Sequence, residues 1–508
     1  MVFSSTVFLF AFLPLFLAVY FAFRRISHKN VMLLVASLVF YAWGEPVYIV
    51  LMLISIVANW FFGLKVADGR QLGRGKALLV ATIAFNVLVI GFFKYEGLLA
   101  DSVNAMLGMQ AIPNLELPLP IGISFYTLQA LSYVIDSYRG TVKPQRNLLF
   151  LGMYIASFPQ LIAGPIVRYQ TIEPQIVERD VNLSDFTSGM RLFAVGLAKK
   201  TILANTCAVL ADKIFSLGGG SVGMAGAWLG LLAYFFQIYF DFGGYSDMAI
   251  GLGRMMGFKY LRNFNYPYIA RSIREFWHRW HISLGLFLRD YVYIPLGGSR
   301  CSTPRWMLNI LIVWALCGLW HGAAWNFVLW GLYYGILLIG EKLLWGKALS
   351  KLPSFVQIVI TDLLVLLGWA LFRIGLGHLS GFGSAMFGLA GATGHSTLWE
   401  LTIWAYWPVF IICLACALPL LPWLKERFLA WVEGRSPRSI LEGACSADSH
   451  ALDADGLCRL DAKPATEHHA RACRVMLAVC NALSLALMLI SAAAIATGGF
   501  NPFIYFQF

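Results

Sequence analysis

The apolar stretch from Trp306 to Gly340 constrains the fold of this 508-residue chain more than any other feature of the sequence. It runs for 35 residues without an Asp, Glu, Lys or Arg, whereas a helix that crosses a membrane needs about 20 residues. One straight helix would therefore be far too long. Gly318 and Gly322, near the midpoint, indicate where the helix bends or breaks. The sequence thus predicts two helices that meet inside a membrane.

The composition extends this interpretation to the whole chain. Hydrophobic residues make up 59% of the sequence and charged residues 13%, whereas soluble domains carry about 25% charged residues. Apolar runs follow one another along residues 1–508, which predicts a single all-α polytopic membrane domain with about 10–12 transmembrane helices. The formal charge of +12 comes from Lys and Arg that lie mainly between these runs. Because basic loops face the cytoplasm, this charge does not indicate nucleic-acid binding.

Two stretches predict helices that are buried or broken. Residues 121–140 (IGISFYTLQALSYVIDSYRG) are too polar to face lipid and too apolar for a loop, which favours a helix packed inside the protein or a re-entrant segment. Residues 148–169 are interrupted by Pro159, Gly164 and Pro165. Broken helices at membrane depth are tolerated where they line a cavity. We therefore expect these segments to surround a central tunnel.

His321 is the one side chain in the 306–340 stretch that titrates near neutral pH. It is either a buried histidine that donates a hydrogen bond to a nearby carbonyl, or a general base or acid. The adjacent glycines and tryptophans favour a pocket, although burial alone leaves the two interpretations equal. No nucleophile elbow on a strand-to-helix turn and no Walker loop is evident in the sequence, so the protein would have to activate a hydroxyl of another molecule.

A second candidate region is the basic segment from Arg254 to Arg305. It contains nine Lys and Arg against two acidic residues, a balance of nine minus two, or +7. His278 and His281 stand three residues apart, which on a helix places them on one face. A metal site would need further carboxylate or Cys ligands, and only Glu275 is near, so we predict no metal. The charge is explained equally well by a cytoplasmic surface that follows topology or by attraction of a polyanionic cofactor such as a coenzyme A phosphate group.

The region from about residue 422 to 474 is polar and of mixed charge. It contains scattered Cys and His but no closely spaced Cys pair, so a zinc site is not indicated. Because large apolar residues are few, a flexible loop is predicted here.

Several long motifs, in fixed order, resemble the membrane-bound O-acyltransferase (MBOAT) family, and within it the bacterial branch that acetylates alginate. The matching motifs are MVFSSTVFLF, LVFYAWGEP, LPIGISFYTLQALSYVIDSYRG, FPQLIAGPIVRY, QIYFDFGGYSDMAIGLGRMMGF, FWHRWHISLGLFLRDYVYIPLGG, LWHGAAWNFVLWG and NPFIYFQF. They span the chain except for about residues 422–474. The resemblance implies that His321, in the W-H-G motif, is catalytic. It also implies that His281, in the R-W-H-I-S motif, is a second site residue, and that a tunnel opens on both sides of the membrane.

The resemblance further implies an acetyltransferase of the bacterial inner membrane. Its donor would be acetyl-CoA, with no cofactor bound permanently, and Arg271, Arg274 and Arg279 are our candidates for holding the donor phosphates. The expected partners are periplasmic polysaccharide acetyltransferases, lipid and, indirectly, an exported polysaccharide, with alginate expected first. The alternatives are cellulose or another exopolysaccharide, acylation of a protein or lipid, and a proton-coupled transporter that uses His321 as a relay.

Overall fold

The computed structural model describes residues 1–162, 164–217, 219–389, 397–434, 436 and 467–498. The helices over these residues are α1 (Leu13–Ala22), α2 (Ile26–Gly44), α3 (Ile49–Gln71), α4 (Gly75–Leu107), α5 (Ile123–Arg139), α6 (Leu148–Ala156), α7 (Phe158–Leu161), α8 (Tyr169–Val177), α9 (Leu183–Ala198), α10 (Asn205–Ser216), α11 (Gly219–Met255), α12 (Ile273–Arg279), α13 (Ile282–Leu288), α14 (Thr303–His321), α15 (Trp325–Gly340), α16 (Gly346–Leu349), α17 (Ser354–Arg373), α18 (Leu376–Met386), α19 (Thr397–Ala417), α20 (Leu420–Glu433) and α21 (Glu467–Ala496). Short π-helical segments cover Phe8–Phe12, Lys199–Ala204, Arg289–Tyr293 and Glu341–Trp345, and Pro267–Ile269 is a 3-10 turn.

The predicted all-α polytopic fold is confirmed, and within the described residues fewer helices have the length and composition of a full span than the 10–12 predicted. Within the described ranges, eight helices are long and apolar enough to cross a membrane, or nine if the bent pair formed by Thr402–Ala417 and Leu420–Val432 counts as one span. The sequence predicted about 10–12. One cause is Phe8–Ala22, which is apolar but too short to qualify. Another is α5, which has 17 residues and is largely buried.

The interior helix and the broken segment predicted from the sequence are both present. Twelve residues of α5 are buried, including Gln129 and Asp136, so α5 packs inside the protein as its mixed polarity predicted. The segment at 148–169 divides into α6 and the single turn α7, with Ser157 in a non-helical conformation between them. Ser157 and all residues of α7 are buried, so this helix break lies inside the protein.

Helices α9 and α11 pack with their backbones in close contact. A Cβ atom at Gly196 would lie 2.5 Å from the carbonyl oxygen of Gly244, and one at Gly189 would lie 2.5 Å from that of Gly251. Asp241 and Asp247 lie within α11, which continues to Met255, and the glycines near them serve helix packing.

Two ion pairs cross the same interface. Lys199 lies 2.7 Å from Asp247, and Lys200 lies 2.7 Å from Asp241. The side chains of Lys200 and Asp241 are 1% and 2% exposed. A buried charge is tolerated when its partner is equally buried and close, which explains how two adjacent lysines are accommodated in an apolar helix.

The predicted loop at about 422–474 needs correction at both ends. Its first part belongs to α20 and its last part to α21. Residues 437–466, at its centre, lie outside the described residues, as does the terminal NPFIYFQF motif.

Candidate active site

His321 lies where the predicted break occurs. Helix α14 ends at His321, Gly322 is extended with φ −162° and ψ 155°, and α15 begins at Trp325. The two helices form a tight antiparallel hairpin, because a Cβ atom at Gly318 would lie 2.9 Å from the carbonyl carbon of Phe327 and closer still to its oxygen. The glycines that marked the break in the sequence therefore also permit the close packing that fixes its geometry.

The imidazole of His321 is surrounded by aromatic rings. Its ring centroid lies 4.9 Å from that of Trp320, 5.0 Å from that of Trp330 and 5.3 Å from that of Phe372. The ring of His281 is 6.5 Å away, centroid to centroid. Two histidines that are 40 positions apart in sequence thus face one another within an apolar wall.

His281 is held by an irregular backbone. Helix α12 ends at Arg279, Trp280 is extended, and His281 has φ 46° before α13 begins. The prediction that His278 and His281 share one helix face was therefore wrong. His278 is exposed, with Nδ1 2.6 Å from the carbonyl oxygen of Arg274, whereas His281 is 2% exposed. The left-handed backbone at His281 turns its side chain into the interior, away from the direction that α12 would give it.

Asn263 fixes the tautomer of His281. Asn263 Oδ1 accepts hydrogen bonds from Ser283 N at 3.2 Å and Ser283 Oγ at 2.9 Å, and lies 3.2 Å from His281 Nδ1. A backbone N–H can only donate, so the oxygen of the amide must face it, and His281 Nδ1 must carry a proton to donate to the same oxygen. In the neutral ring, Nε2 is then an acceptor. This nitrogen is buried and has no hydrogen-bond partner among the described residues.

A cavity of about 330 Å³ borders His321. It is lined by Lys94, Leu119, Pro120, Ile121, Gly122, Ile123, Ser124, Phe125, Ile162, Trp320 and His321. The backbone N–H of Ile121 donates to Glu45, which follows the end of α2. Because α2 begins just after Arg24 and Arg25, this side of the cavity lies at the end of the bundle opposite those arginines.

Lys94 was missed by the sequence analysis. Helix α4 continues to Leu107, so Lys94 lies inside the helix, and it is only 8% exposed. The signal that could have identified it is a lone Lys near the middle of a long, mostly apolar helix, which is costly unless it faces the protein interior. Asn263 gave no comparable signal, because nothing in its local sequence distinguishes it.

The three candidate arginines have different environments. Arg279 is 3% exposed, and its Nε and one terminal nitrogen donate to Glu275 at 2.9 and 2.8 Å, while the other donates to the carbonyl of Asn265. These contacts engage its guanidinium inside the protein, so Arg279 is the least accessible of the three candidates for the donor phosphates. Arg271 and Arg274 are exposed. They flank Ile273, whose backbone N–H donates to Glu341 just after the end of α15.

These features describe a polytopic membrane protein in which two histidines, each at its own helix break, approach one another inside the bundle. A family model described as MBOAT, membrane-bound O-acyltransferase family, matches residues 123–365. Together with the relatives described next, this match shows that the chain belongs to the MBOAT family and is an O-acyltransferase. The resemblance stated from the sequence motifs is confirmed.

Similar proteins cover the chain at high identity. A probable alginate O-acetylase AlgI of Pseudomonas putida is 38% identical over 512 residues, which covers 100% of both chains. One of Pseudomonas aeruginosa is 45% identical over 377 residues, which covers 73% of this chain and 72% of the relative. A peptidoglycan O-acetyltransferase of Helicobacter pylori is 35% identical, covering 73% of this chain and 77% of the relative.

Proposed function

We propose that this protein takes acetyl groups from acetyl-CoA at the cytoplasmic face of the bacterial inner membrane and passes them to a hydroxyl on the far side. The acetyl group then serves O-acetylation of an exported polysaccharide, with alginate as the polymer. The observation that carries the proposal is the pairing of His321, which borders the cavity, with His281, whose ring centroid lies 6.5 Å from that of His321. The names of the two Pseudomonas relatives support alginate as the polymer.

His321 acts as the general base in this proposal. Its ring borders the cavity, where it would take the proton from the acceptor hydroxyl as the oxygen attacks the thioester carbonyl carbon. The carbon–sulfur bond then breaks, and the departing thiolate recovers the proton from His321. General base catalysis of this kind contributes a factor of about 10²–10⁴ in rate. A thioester is an activated donor, so the transfer requires neither a metal nor ATP.

His281 orients the donor. With Nδ1 committed to Asn263, the neutral ring offers only the lone pair of Nε2. Such a nitrogen accepts a hydrogen bond, for example from an amide N–H of the pantetheine arm of coenzyme A, but it does not donate one to the thioester carbonyl. Polarisation of that carbonyl would require the protonated ring.

Arg271 and Arg274 hold the donor phosphates in this proposal. They lie near the end of α15 that is marked by Glu341, whereas His321 lies near its other end. The 16 residues of α15 correspond to a length of about 24 Å at about 1.5 Å per residue. The donor would therefore enter from the arginine end and extend its acyl group toward His321. Periplasmic acetyltransferase partners would carry the acetyl group onward.

The proposal is tested with purified protein, labelled acetyl-CoA, a periplasmic acetyltransferase partner and alginate oligosaccharides. The wild type should transfer the label, His321→Ala should transfer none above background, and His378→Ala should behave as the wild type because His378 is exposed and outside the site. Arg271→Ala and Arg274→Ala should raise the KM for acetyl-CoA. With S-acetylpantetheine, a thioester donor without the nucleotide phosphates, both variants should have the KM of the wild type.

The alternatives give different results in the same system. If neither the wild type nor His321→Ala transfers label, while a solute flux across proteoliposomes depends on His321, the protein is a transporter and the proposal fails. Label that appears in cellulose or peptidoglycan fragments but not in alginate would correct the polymer. Full acetylation of the polymer in cells that carry His281→Ala would remove His281 from the mechanism.

A further inference from the structure

The carbonyl groups at the end of α14 are satisfied in an unusual way. A helix leaves its last four carbonyl oxygens without partners in its own backbone. In α14 these belong to Gly318, Leu319, Trp320 and His321. Gly318 accepts from the N–H of Gly322 at 3.3 Å, and Leu319 accepts from the hydroxyl of Tyr95 at 2.6 Å.

The other two carbonyls depend on one side chain. Lys94 Nζ donates to the carbonyl oxygen of Trp320 and, at 3.4 Å, to that of His321. Its third hydrogen bond goes to Ser124 Oγ, also at 3.4 Å. Within the part of the chain that the structure describes, no carboxylate forms a salt bridge with Lys94. The positive charge is instead matched by the negative end of the α14 dipole, a favourable arrangement when the cation lies within the last turn.

We propose that Lys94 is a positioning residue for acyl transfer, and that it acts by holding the last turn of α14 so that His321 faces the cavity. This inference rests on the proposed role of His321. Because Gly322 is extended and the chain turns away after it, no further helical turn could satisfy the carbonyls of Trp320 and His321. Without Lys94 both would be left unpaired at membrane depth, where an unsatisfied backbone group is strongly unfavourable, and the last turn would rearrange.

A direct role in binding an anionic acceptor is less well supported. Lys94 lines the cavity, but an ammonium group has three N–H donors, and all three directions end on oxygen atoms of the protein. An acceptor carboxylate would have to displace one of them. The geometry thus favours positioning over acceptor binding, and kinetics distinguish the two.

The test compares kcat and KM of purified full-length variants with labelled acetyl-CoA, the same periplasmic acetyltransferase partner and alginate oligosaccharides. Lys94→Met keeps the length of the side chain and removes its donors. It should lower kcat by about 10²-fold, since a displacement of about 1 Å in a reacting group has an effect of this size, and should leave both KM values within about threefold of the wild type. Lys94→Arg, which retains donors and charge, should restore at least a tenth of the wild-type kcat. Lys76→Met, the same substitution at an exposed position of α4, is the matched control.

Each outcome decides the question. A folded Lys94→Met protein with wild-type kcat overturns the inference, and so does a raised KM for the oligosaccharide with unchanged kcat, which would identify an acceptor-binding residue. If Lys94→Met does not fold, Tyr95→Phe removes the neighbouring bond to Leu319 alone and should lower kcat by a smaller factor; an unchanged kcat in that variant also counts against positioning. If His321→Ala loses transfer while Lys94→Met has normal kinetics, only the positioning role of Lys94 is refuted. Full activity in His321→Ala would instead refute the proposed function.

Discussion

Gly318→Ala should slow the enzyme strongly by moving His321, although it adds only one methyl group three residues away. The added carbon would lie 2.9 Å from the carbonyl carbon of Phe327 and nearer to its oxygen. Carbon atoms in contact are normally at least about 3.5 Å apart. The helices α14 and α15 must therefore separate by at least about 0.6 Å, and by more to relieve the oxygen. The contact is to backbone, so no side chain can rotate away from it.

A separation on the order of 1 Å at residue 318 is passed to His321, which lies within the same final turn of α14. A misplacement of this size lowers the rate of a positioned reaction by about 10²-fold. We expect kcat for acetyl transfer to fall by that factor, with KM for acetyl-CoA nearly unchanged. The overpacking should also lower the free energy of unfolding by about 1–3 kcal/mol, which thermal unfolding in detergent would detect.

Two control substitutions separate this effect from a general response to Gly→Ala. At Gly91 in α4, a Cβ atom would have no neighbour within 4 Å, so Gly91→Ala should be neutral or slightly stabilising. At Gly335, on the same interface as Gly318, it would lie 3.1 Å from the flexible end of Leu311, which can adjust. A folded Gly318→Ala enzyme with the kcat of these controls would refute the reasoning.

Three further predictions concern other parts of the site and its scaffold. Asn263→Ala should lower kcat about 10–100-fold, because loss of a buried hydrogen bond costs about 1–3 kcal/mol and His281 is no longer held in one tautomer. Steady-state kinetics of acetyl transfer would measure the change in kcat, and unchanged kinetics would contradict the tautomer argument. Lys200→Met should destabilise the protein by about 3–5 kcal/mol because it leaves the carboxylate of Asp241 buried without its cation. In thermal unfolding, the double variant Lys200→Met/Asp241→Leu should recover most of this lost stability, and equal instability of both variants would argue against the ion pair as the cause. Gly122→Ala should reduce both stability and transfer activity, because φ is +76° and the new Cβ atom would lie 2.8 Å from the carbonyl oxygen of residue 161. A variant with the unfolding temperature and activity of the wild type would show that this turn is not constrained.

The sequence predicted the features that depend on local pattern. The uncharged run around His321 and its two glycines predicted the break, and the mixed polarity of residues 121–140 predicted a buried helix; both are present. These predictions succeeded because lipid imposes strict limits on length and polarity, and such limits are visible in a single stretch of sequence. The pairing of His321 with His281 was expected from the family resemblance alone, and the structure brings the two rings together.

The features that depend on contacts between distant segments could not be predicted. Asn263 reaches His281 across 18 positions, and Lys94 reaches the end of α14 across 226, so neither partner is apparent from local spacing. The shared helix face of His278 and His281 was wrong because an extended Trp280 and a left-handed His281 interrupt the helix. Arg279 was assigned to the donor because its charge was visible in the sequence, whereas its salt bridge with Glu275 follows from the fold.

The ion pairs that join the π-helical segment Lys199–Ala204, between α9 and α10, to α11 affect how the chain enters the membrane. The helix that carries Lys199 and Lys200 is synthesised before α11, which carries Asp241 and Asp247. On its own, that helix presents two cations to lipid, each unfavourable by about 2.5–3.5 kcal/mol at mid-membrane. We therefore expect it to wait at the translocon until α11 arrives, and then to leave as a hairpin with its charges already neutralised. Chains truncated before residue 219 should insert this helix inefficiently in a glycosylation-mapping assay, whereas Lys199→Leu/Lys200→Leu chains of the same length should insert it well; equal insertion would exclude the delay.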